Sequence, residues 1–246
     1  MVFSRLAERF DPGAYAYAHR GLWTAAGPPE NSISAFLAAA EHGLGIEFDV
    51  RPASDGVPVV FHDSILDRMT EQTGAVETLT SSELTQISLN GGDFIPRLAD
   101  LLDAWPGTTP LLCELKIDGT TDPARFTDTV ARQISKHAGP AAMMSFSTEA
   151  VAAVPAQIQR GQLIPPSHMS GETDLASTPT TSVDYLACHV SDADNASLQS
   201  DRARGRPLLT WTVKDETMCA ALSAITDSQI FEGYDPVLAK RLILNT

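Results

Sequence analysis

Short runs of apolar and β-branched residues alternate with helix-like segments along almost the whole chain, and this alternation restricts the fold more than any other feature. Residues 15–19 form the first strand candidate, and residues 31–42 then place apolar side chains at helical spacing. Residues 46–50 form the second strand candidate, and helical patterns fill most gaps between the later candidates. Strands that alternate with helices predict an α/β fold with a parallel sheet and right-handed crossovers.

One gap between strand candidates, residues 51–57, is too short for a crossover helix. A parallel connection needs a dozen or more residues, whereas an antiparallel hairpin needs only a few. Residues 58–62 are therefore expected to fold back against the second strand. Eight strand candidates then remain for the parallel sheet, which is the count of a (β/α)8 TIM barrel, and the length of 246 residues suits that fold.

The predicted hairpin also predicts which polar groups meet at the mouth of the barrel. If Asp55 and Gly56 form a two-residue turn, Asp49 lies opposite His62. This pair would stand at the C-terminal end of the second strand, where barrel active sites lie. Residues 63–93 are rich in Thr, Ser and Gly. Because long loops are often functional, we expect residues 63–93 to form a small cap insertion. The alternative is an excursion on the surface without a function. In either case we expect a single domain, residues 1–246.

Acidic residues outnumber basic residues by 31 to 17, which gives a formal net charge of −14. Nucleic acids and anionic membranes are held mainly by Lys and Arg, so this charge argues against a nucleic-acid partner and against stable membrane association. No apolar run approaches the roughly 20 residues that span a bilayer. The N-terminal stretch lacks the apolar core of a signal peptide, and the three cysteines have neither disulfide nor zinc spacing. A cytoplasmic location is therefore expected, whereas the oligomeric state is left open.

Charged residues that could carry chemistry cluster at the predicted strand ends. His19 and Arg20 end the first strand, where an imidazole can move a proton and a guanidinium can bind an anion; a structural role for the pair is the alternative. Glu47 and Asp49 lie two apart on the second strand and therefore point to the same face. Two inward carboxylates repel each other unless a cation or a proton intervenes, and oxygen-only ligands favour Mg2+ or Ca2+ over zinc.

The strand at residues 111–116 repeats this arrangement with Glu114 and Lys116 on one face. Glu114 could complete a carboxylate cage with Glu47 and Asp49. Lys116 offers a positive charge for a phosphate group or for charge balance. The alternative is a buried Glu–Lys ion pair with only a structural role.

Six short motifs, in this order and spacing, resemble the glycerophosphodiester phosphodiesterase family. They are His-Arg-Gly at 19–21, Pro-Glu-Asn-Ser at 29–32, Glu-Phe-Asp-Val at 47–50, Asp-Gly at 55–56, His-Asp at 62–63 and Glu-Leu-Lys at 114–116. Ser-Phe at 145–146 and Trp-Thr-Val at 211–213 extend the resemblance over nearly the whole chain. At the last strand the sequence departs from the family, because Phe231 and Glu232 stand where relatives have Thr-Asp.

The resemblance implies a TIM-barrel phosphoric diester hydrolase that converts glycerophosphodiesters, a small-molecule substrate class, to sn-glycerol 3-phosphate and an alcohol. It implies an acid–base pair, His19 and His62. It also implies one divalent cation, Mg2+ or Ca2+, held by Glu47, Asp49 and Glu114. The family's phosphate-binding Arg, substrate-contacting Lys, mouth Trp and supporting Glu-Asn motif match a further set of residues, namely Arg20, Lys116, Trp211, Glu30 and Asn31.

Two other functions remain as alternatives. Lipid-acting relatives share this barrel, so a lysophospholipase D or a sphingomyelinase D-like lipid phosphodiesterase is the first of them. That reading predicts an apolar groove beside the metal. The second is a non-catalytic phosphate-binding barrel, since a fold does not by itself determine a function. Every position named above is nevertheless intact in this chain.

Overall fold

The structure is a computed structural model that describes residues 9–170 and 183–245. Within these ranges it contains nine strands, Tyr17–His19 (β1), Gly45–Pro52 (β2), Pro58–Val60 (β3), Leu111–Leu115 (β4), Ala141–Ser145 (β5), Gln159–Ile164 (β6), Tyr185–His189 (β7), Leu208–Val213 (β8) and Ser228–Phe231 (β9). The α-helices of the same ranges are Ile33–Glu41 (α1), Ser81–Leu84 (α2), Leu98–Ala104 (α3), Pro123–Ile134 (α4), Thr148–Ala153 (α5), Ser167–Ser170 (α6), Ala196–Ala203 (α7), Glu216–Leu222 (α8) and Pro236–Leu244 (α9). No helix of this part of the chain is long and apolar enough to cross a membrane.

Eight parallel strands close into a barrel, as the alternating pattern predicts. β1 pairs with β2 on one side and with β9 on the other, and the remaining strands follow in sequence order around the ring. β3 is the one strand of the described sheet outside this ring, and it pairs antiparallel with β2. The (β/α)8 TIM barrel with a small insertion after the second barrel strand is therefore confirmed.

The predicted register of the β2–β3 hairpin is wrong by one residue. Val50 lies opposite Val60, and this register places Phe61 rather than His62 opposite Asp49. The Phe61 backbone N–H donates to the Asp49 carbonyl over 3.0 Å. Because alternate residues of a strand point to opposite faces, His62 turns toward the barrel mouth while Phe61 packs beneath the insertion.

The turn of this hairpin explains the shift. The Ala53 N–H donates to the Val57 carbonyl over 3.0 Å, so three residues, and not two, form the turn. Gly56 has a φ of +78°, the left-handed conformation that a three-residue hairpin turn requires. A two-residue turn and a three-residue turn differ by one position in register, which is the size of the error.

The two faces of each barrel strand belong to different apolar layers. Inside the barrel, Tyr17, Leu112, Tyr185 and Ile230 belong to one buried cluster. Outside it, side chains such as Phe48 pack against the surrounding helices, and the Phe48 ring lies 6.0 Å from that of Phe36 in α1. Both faces of these barrel strands are thus buried and mainly apolar, and the strand ends are the main places for polar chemistry.

Residues 63–93, called the insertion below, share an apolar cluster with the β2–β3 hairpin. Leu66, Val76, Leu84 and Leu89 are buried there against Phe61 at the end of the hairpin. Polar contacts tie the insertion to its surroundings at two places. Asp55 in the hairpin turn accepts from the Ser81 hydroxyl over 2.8 Å, and Asp93 accepts from the Ser34 hydroxyl of α1 over 2.6 Å. The insertion is therefore held against the rim next to β2 and α1.

Gly161 in β6 is a position where the barrel interior leaves no room for a side chain. A Cβ atom at this position would overlap the ring of Tyr185, which is fully buried on the neighbouring strand. We expect Gly161→Ala to destabilise the protein by about 1–3 kcal/mol, the usual cost of overpacking. For a domain of this size each kcal/mol lowers Tm by roughly 2–4 °C.

A double-mutant cycle provides the control for this prediction. Tyr185→Leu alone leaves a cavity and is also destabilising. In the Gly161→Ala/Tyr185→Leu double variant the smaller side chain relieves the overlap, so its loss of stability should be smaller than the sum of the two single losses. Additive losses in thermal unfolding would contradict the steric argument.

Candidate active site

A cavity of about 120 Å³ opens at the C-terminal ends of the barrel strands. One side of it is polar and charged, and is lined by His19, Arg20, Glu47, His62, Glu114 and Lys116. The other side is mainly apolar, and is lined by Met144, Phe146, Leu163, Trp211, Thr212 and Ile230. The TIM-barrel topology thus brings together residues that are up to about 200 positions apart in the sequence, at the end of the barrel where active sites lie.

Three carboxylates converge beside this cavity. Glu47 and Asp49 project inward from β2, and the strand register pairs Asp49 with Glu114 on β4. One oxygen from each of the three carboxylates lies within 4.8 Å of the others, and all three side chains are buried. This set of hard oxygen donors could hold a metal ion of the Mg2+ or Ca2+ type.

The charge balance of this carboxylate cluster favours a cation. Burial, together with the neighbouring Asp49 and Glu114, raises the pKa of Glu47 well above its ordinary value. Burial likewise raises the pKa of Glu114, against the opposing effect of Lys116. Asp49 behaves differently. Burial disfavours its charge, but Lys116 and Arg20 hold its pKa well below the ordinary value. Two side-chain cations therefore serve three buried carboxylates, and Glu47 is the carboxylate left short of positive charge.

Lys116 lies among these carboxylates. Its Nζ atom is 3.0 Å from Asp49 Oδ1 and 2.5 Å from Glu114 Oε1, while the side chain also lines the cavity. The buried ion pair that the sequence analysis gave as an alternative is therefore present. The ion pair and a role in anion binding are compatible, because the Lys116 ammonium group can balance carboxylates and still offer a donor to an anion in the cavity.

Each of the two histidines at the cavity is backed by a carboxylate. His19 Nδ1 lies 2.5 Å from Glu232 Oε2, and His62 Nδ1 lies 2.6 Å from Asp63 Oδ1. A carboxylate accepts the Nδ1 proton, so each ring directs Nε2 away from it, and His19 Nε2 is 3.9 Å from Glu47 Oε2. Burial lowers the pKa of both histidines, and the carboxylate hydrogen bonds oppose that effect.

Arg20 and Asn31 adopt a backbone conformation that is unusual for residues other than glycine. Both have a φ of +57°, in the left-handed region, and the Asn31 N–H donates to the Arg20 carbonyl over 2.9 Å. Such conformations cost on the order of 1–3 kcal/mol and persist where the surroundings over-determine them. They direct the Arg20 side chain to the carboxylates, with Arg20 Nε 3.3 Å from Asp49 Oδ2.

Glu30 and Asn31 lie behind the cavity and are not among its lining residues. Glu30 Oε1 accepts from Arg20 Nη1 over 2.8 Å, and Asn31 Nδ2 donates to Asp49 Oδ2 over 2.9 Å. Both side chains are buried. They therefore orient Arg20 and Asp49, which matches the supporting place that the resemblance gives to this motif.

Trp211 lines the apolar side of the cavity together with Phe146. The two rings meet edge to face with their centroids 5.7 Å apart, and His189 packs against Trp211 at 5.3 Å. The indole N–H donates to the Ala187 carbonyl over 3.3 Å. These contacts fix the Trp211 ring, so that the apolar wall of the cavity has a defined shape.

Three residues of this network are missing from the sequence-predicted set. Asp63 belongs to the His-Asp motif, but the resemblance gives a role only to the histidine of that motif. Glu232 stands at the departure from the family pattern, and the structure places its carboxylate against His19. Arg68 carries no motif in the sequence analysis, and it contacts both Glu30 and Asp63 from the insertion.

Comparison with known proteins agrees with this combination of fold and site, a TIM barrel with a carboxylate cluster and two histidines at its mouth. The family model of the glycerophosphoryl diester phosphodiesterase family matches residues 19–235. The chain therefore belongs to that family.

Individual relatives match only part of the chain, 30% of it in one case and 35% in another. Human glycerophosphodiester phosphodiesterase 1 is 40% identical over 74 residues, which are 30% of this chain and 22% of the relative. The glycerophosphodiester phosphodiesterase of Caldanaerobacter subterraneus is 37% identical over 94 residues, which are 35% of this chain and 38% of the relative. The matched regions thus span well under half of these curated relatives.

Solved structures resemble the chain over most of its length. An Oleispira antarctica phosphodiesterase in complex with the product sn-glycerol-3-phosphate superposes with a TM-score of 0.77. The match covers 94% of this chain and 97% of that one, at 23% sequence identity. This likeness supports the fold.

The carboxylate cluster generates a prediction about stability. Because the pKa of Glu47 is raised in the folded protein, this carboxyl group lowers stability at any pH above its ordinary pKa, where the unfolded chain ionises more readily than the folded one. Glu47→Gln should therefore raise Tm at neutral pH without added metal. With Mg2+ or Ca2+ present, the unmodified protein should instead have a higher Tm than the Glu47→Gln variant. An ion that binds only the folded state stabilises it by about 2.7 kcal/mol at a hundredfold excess over Kd, and Glu47→Gln weakens that binding.

The test is to measure Tm of both proteins with EDTA and with a concentration series of each ion. Glu41→Gln is the matched control, because Glu41 is an exposed residue at the far end of α1. It should show the same ion-dependent rise in Tm as the unmodified protein. An equal rise in the Glu47→Gln variant would contradict a metal site at this cluster.

Proposed function

We propose that this protein is a phosphoric diester hydrolase that converts glycerophosphodiesters to sn-glycerol 3-phosphate and an alcohol. The observation that carries the proposal is one small cavity that combines two carboxylate-backed histidines, an arginine and three converging carboxylates. Membership of the glycerophosphoryl diester phosphodiesterase family and the names of the curated relatives support the same activity. So does the Oleispira antarctica phosphodiesterase, whose structure contains sn-glycerol-3-phosphate.

In the proposed mechanism the polar side of the cavity binds the phosphate group. Arg20 donates to a non-bridging oxygen, and Lys116 offers a second positive charge beside it. A divalent ion held by Glu47, Asp49 and Glu114 would supply Lewis-acid stabilisation of the charge that develops on the phosphoryl group. Asn31 and Glu30 keep Asp49 and Arg20 in place, so these interactions need no rearrangement during the reaction.

His19 and His62 move the protons of the reaction. One of them accepts a proton at Nε2 from the nucleophile, which is either water or the glycerol hydroxyl of the substrate. The other donates a proton from Nε2 to the oxygen of the leaving alcohol as its P–O bond breaks. If water attacks, this step gives sn-glycerol 3-phosphate directly. If the glycerol hydroxyl attacks, the cyclic phosphate that forms is opened to sn-glycerol 3-phosphate by water in a second step, in which the two histidines exchange roles. Glu232 and Asp63 hold the two rings in orientation, and each stabilises the imidazolium form of its own histidine.

The size and lining of the cavity favour a small substrate over a lipid. A volume of about 120 Å³ is well below the 300–1,000 Å³ typical of pockets for drug-sized ligands. Its apolar wall comes from barrel strands and their ends, and no described residue of the insertion lines it. The long apolar groove of the lipid-acting alternative is therefore not supported at this cavity. We propose a single domain in which the insertion is a cap that supports the rim beside Glu30 and His62.

The direct test is turnover of glycerophosphocholine, followed by assay of sn-glycerol 3-phosphate. We expect product with Mg2+ or Ca2+ and its loss on treatment with EDTA. His62→Ala should reduce turnover to the background rate, because it removes a proton-transfer group, while the metal-dependent rise in Tm is retained. If no glycerophosphodiester is cleaved with any divalent ion, the proposed activity is wrong. Unchanged turnover in His62→Ala would remove that residue from the mechanism.

A second prediction uses Glu232 to separate the roles of the two histidines. Burial lowers the pKa of His19 and the Glu232 hydrogen bond opposes this, so Glu232→Gln should lower the pKa further. One limb of the pH–rate profile should then move to lower pH. Movement of the alkaline limb makes His19 the general acid, and movement of the acidic limb makes it the general base.

The matched variant for this experiment is Glu232→Asp, which keeps the negative charge. It should retain more of the original pH profile than Glu232→Gln does. A profile in which neither limb moves in Glu232→Gln would contradict a role for His19 as one of the two proton-transfer groups.

A further inference from the structure

Arg68 in the insertion forms four hydrogen bonds with two carboxylates of the site. Its Nε donates to Asp63 Oδ2 over 2.6 Å, and Nη2 donates to Asp63 Oδ1 over 3.1 Å. The same guanidinium reaches Glu30, with Nη1 2.9 Å from Oε2 and Nη2 2.6 Å from Oε1. Both oxygens of both carboxylates are therefore held by one planar group, a fork geometry that only arginine provides.

Each of these carboxylates holds a residue that lines the cavity. Glu30 Oε1 also accepts from Arg20 Nη1 over 2.8 Å, and Asp63 Oδ1 also contacts His62 Nδ1 at 2.6 Å. A continuous series of charge-assisted contacts thus runs from Arg20 through Glu30, Arg68 and Asp63 to His62. Arg68 is the middle member, and it joins the phosphate-binding side of the cavity to one of its proton-transfer groups.

The backbone carbonyls of Arg68 and Met69 are both hydrogen-bonded, although the Arg68 side chain is 47% exposed. The Arg68 carbonyl accepts from Asn90 Nδ2 over 3.2 Å, and the Asn90 N–H donates to the Met69 carbonyl over 2.7 Å. Leu66, two residues earlier, is buried in the apolar cluster of the insertion. The guanidinium is therefore presented by a segment that is packed against the β2–β3 hairpin, and not by a free loop.

The charges explain why the two carboxylates need this partner. Burial disfavours the charge of Asp63, but its hydrogen bonds with Arg68 and His62 lower its pKa to about 2. Glu30 is buried between two guanidinium groups, which also hold its pKa below the ordinary value. Without Arg68, Glu30 would keep one guanidinium, and Asp63 would lose the contacts that direct Oδ1 at the His62 ring.

We propose that Arg68 is a positioning residue for turnover, which orients His62 through Asp63 and Arg20 through Glu30. The inference rests on the proposed phosphodiesterase function, because it assigns His62 to proton transfer and Arg20 to phosphate binding. It also gives the insertion a specific part in the reaction, since Arg68 of the insertion contacts both supporting carboxylates.

The kinetic test compares Arg68→Ala and Arg68→Lys with Arg97→Ala. Arg97 is the matched control, because it is 48% exposed and pairs with Asp100 through two nitrogens, away from the cavity. Arg68→Ala should lower kcat/KM by about 10- to 100-fold, the usual loss when a partner that orients a site residue is removed. We expect kcat to fall through His62 and KM to rise through Arg20. Arg68→Lys should show an intermediate loss, because an ammonium group cannot hold both carboxylates in the fork geometry.

Chemical rescue separates positioning from a merely structural effect. Guanidinium chloride at tens of millimolar, far below denaturing concentrations, should partly restore kcat of Arg68→Ala relative to sodium chloride at the same ionic strength. It should not accelerate the unmodified protein or Arg97→Ala. A loss of activity that guanidinium does not relieve, or kinetics of Arg68→Ala equal to those of the unmodified protein, would overturn the proposal.

A spectroscopic measurement tests the role of Arg68 without relying on enzymatic activity. In protein labelled with 15N-histidine, the His62 signals, assigned by their loss in His62→Ala, should report the Nδ1–H tautomer. Arg68→Ala should shift them toward a mixture of tautomers, and Arg97→Ala should leave them unchanged. If the unmodified protein cleaves no glycerophosphodiester, the proposed function fails, and these signals alone decide whether Arg68 orients His62. Unchanged His62 signals in Arg68→Ala would overturn the inference whether or not the protein is active.

Discussion

Three carboxylates buried within 4.8 Å of one another at the mouth of a dry barrel are the constraint on which the rest of this site depends. Two like charges 4 Å apart repel by about 4 kcal/mol even at an effective dielectric constant of 20. The fold places Lys116 and Arg20 against Asp49 and leaves Glu47 short of a cation. Most other polar contacts of the mouth follow from the need to balance and orient these groups.

The need to balance and orient these charges also explains the positions of residues farther from the carboxylate cluster. Arg20, which serves Asp49, is itself held by Glu30, and Glu30 is shared with Arg68 from the insertion. Asn31 fixes Asp49 from behind the barrel mouth. Arg20, Glu30, Asp49 and Glu114 are thus each paired with an opposite charge, because an unpaired buried charge would cost several kcal/mol. The network ends at the histidines, where a carboxylate behind each ring leaves Nε2 directed toward the cavity.

The overall charge of −14 acquires a local meaning in this arrangement. An acidic surface slows the approach of an anionic substrate, so a protein that binds a phosphodiester needs a concentrated positive centre. Arg20 and Lys116 provide part of it, and a cation at the carboxylate cluster would provide the remainder. The apolar wall formed by Phe146 and Trp211 limits the cavity on the other side.

The barrel could be predicted from the sequence alone, because the alternation of strand and helix signals is local and strongly restricts how the strands can pair. Alternating strand and helix signals, and the shortness of residues 51–57, led to eight barrel strands and one antiparallel excursion, as the structure has them. Glu47, Asp49 and Glu114 could also be predicted to converge, since the two-residue period of a strand and the pairing of neighbouring strands follow from backbone geometry.

Tertiary structure decided what lies behind those residues. The hairpin register depended on whether two or three residues form the turn around Gly56, a choice set by one backbone hydrogen bond between Ala53 and Val57. Glu232 meets His19 across more than 200 positions of sequence only because β9 closes the ring onto β1. Arg68 reaches Glu30 and Asp63 only because the insertion packs against the β2–β3 hairpin beside the mouth. Strand patterns are local and can be read from the chain, whereas partners of buried charges are set by barrel closure and loop packing.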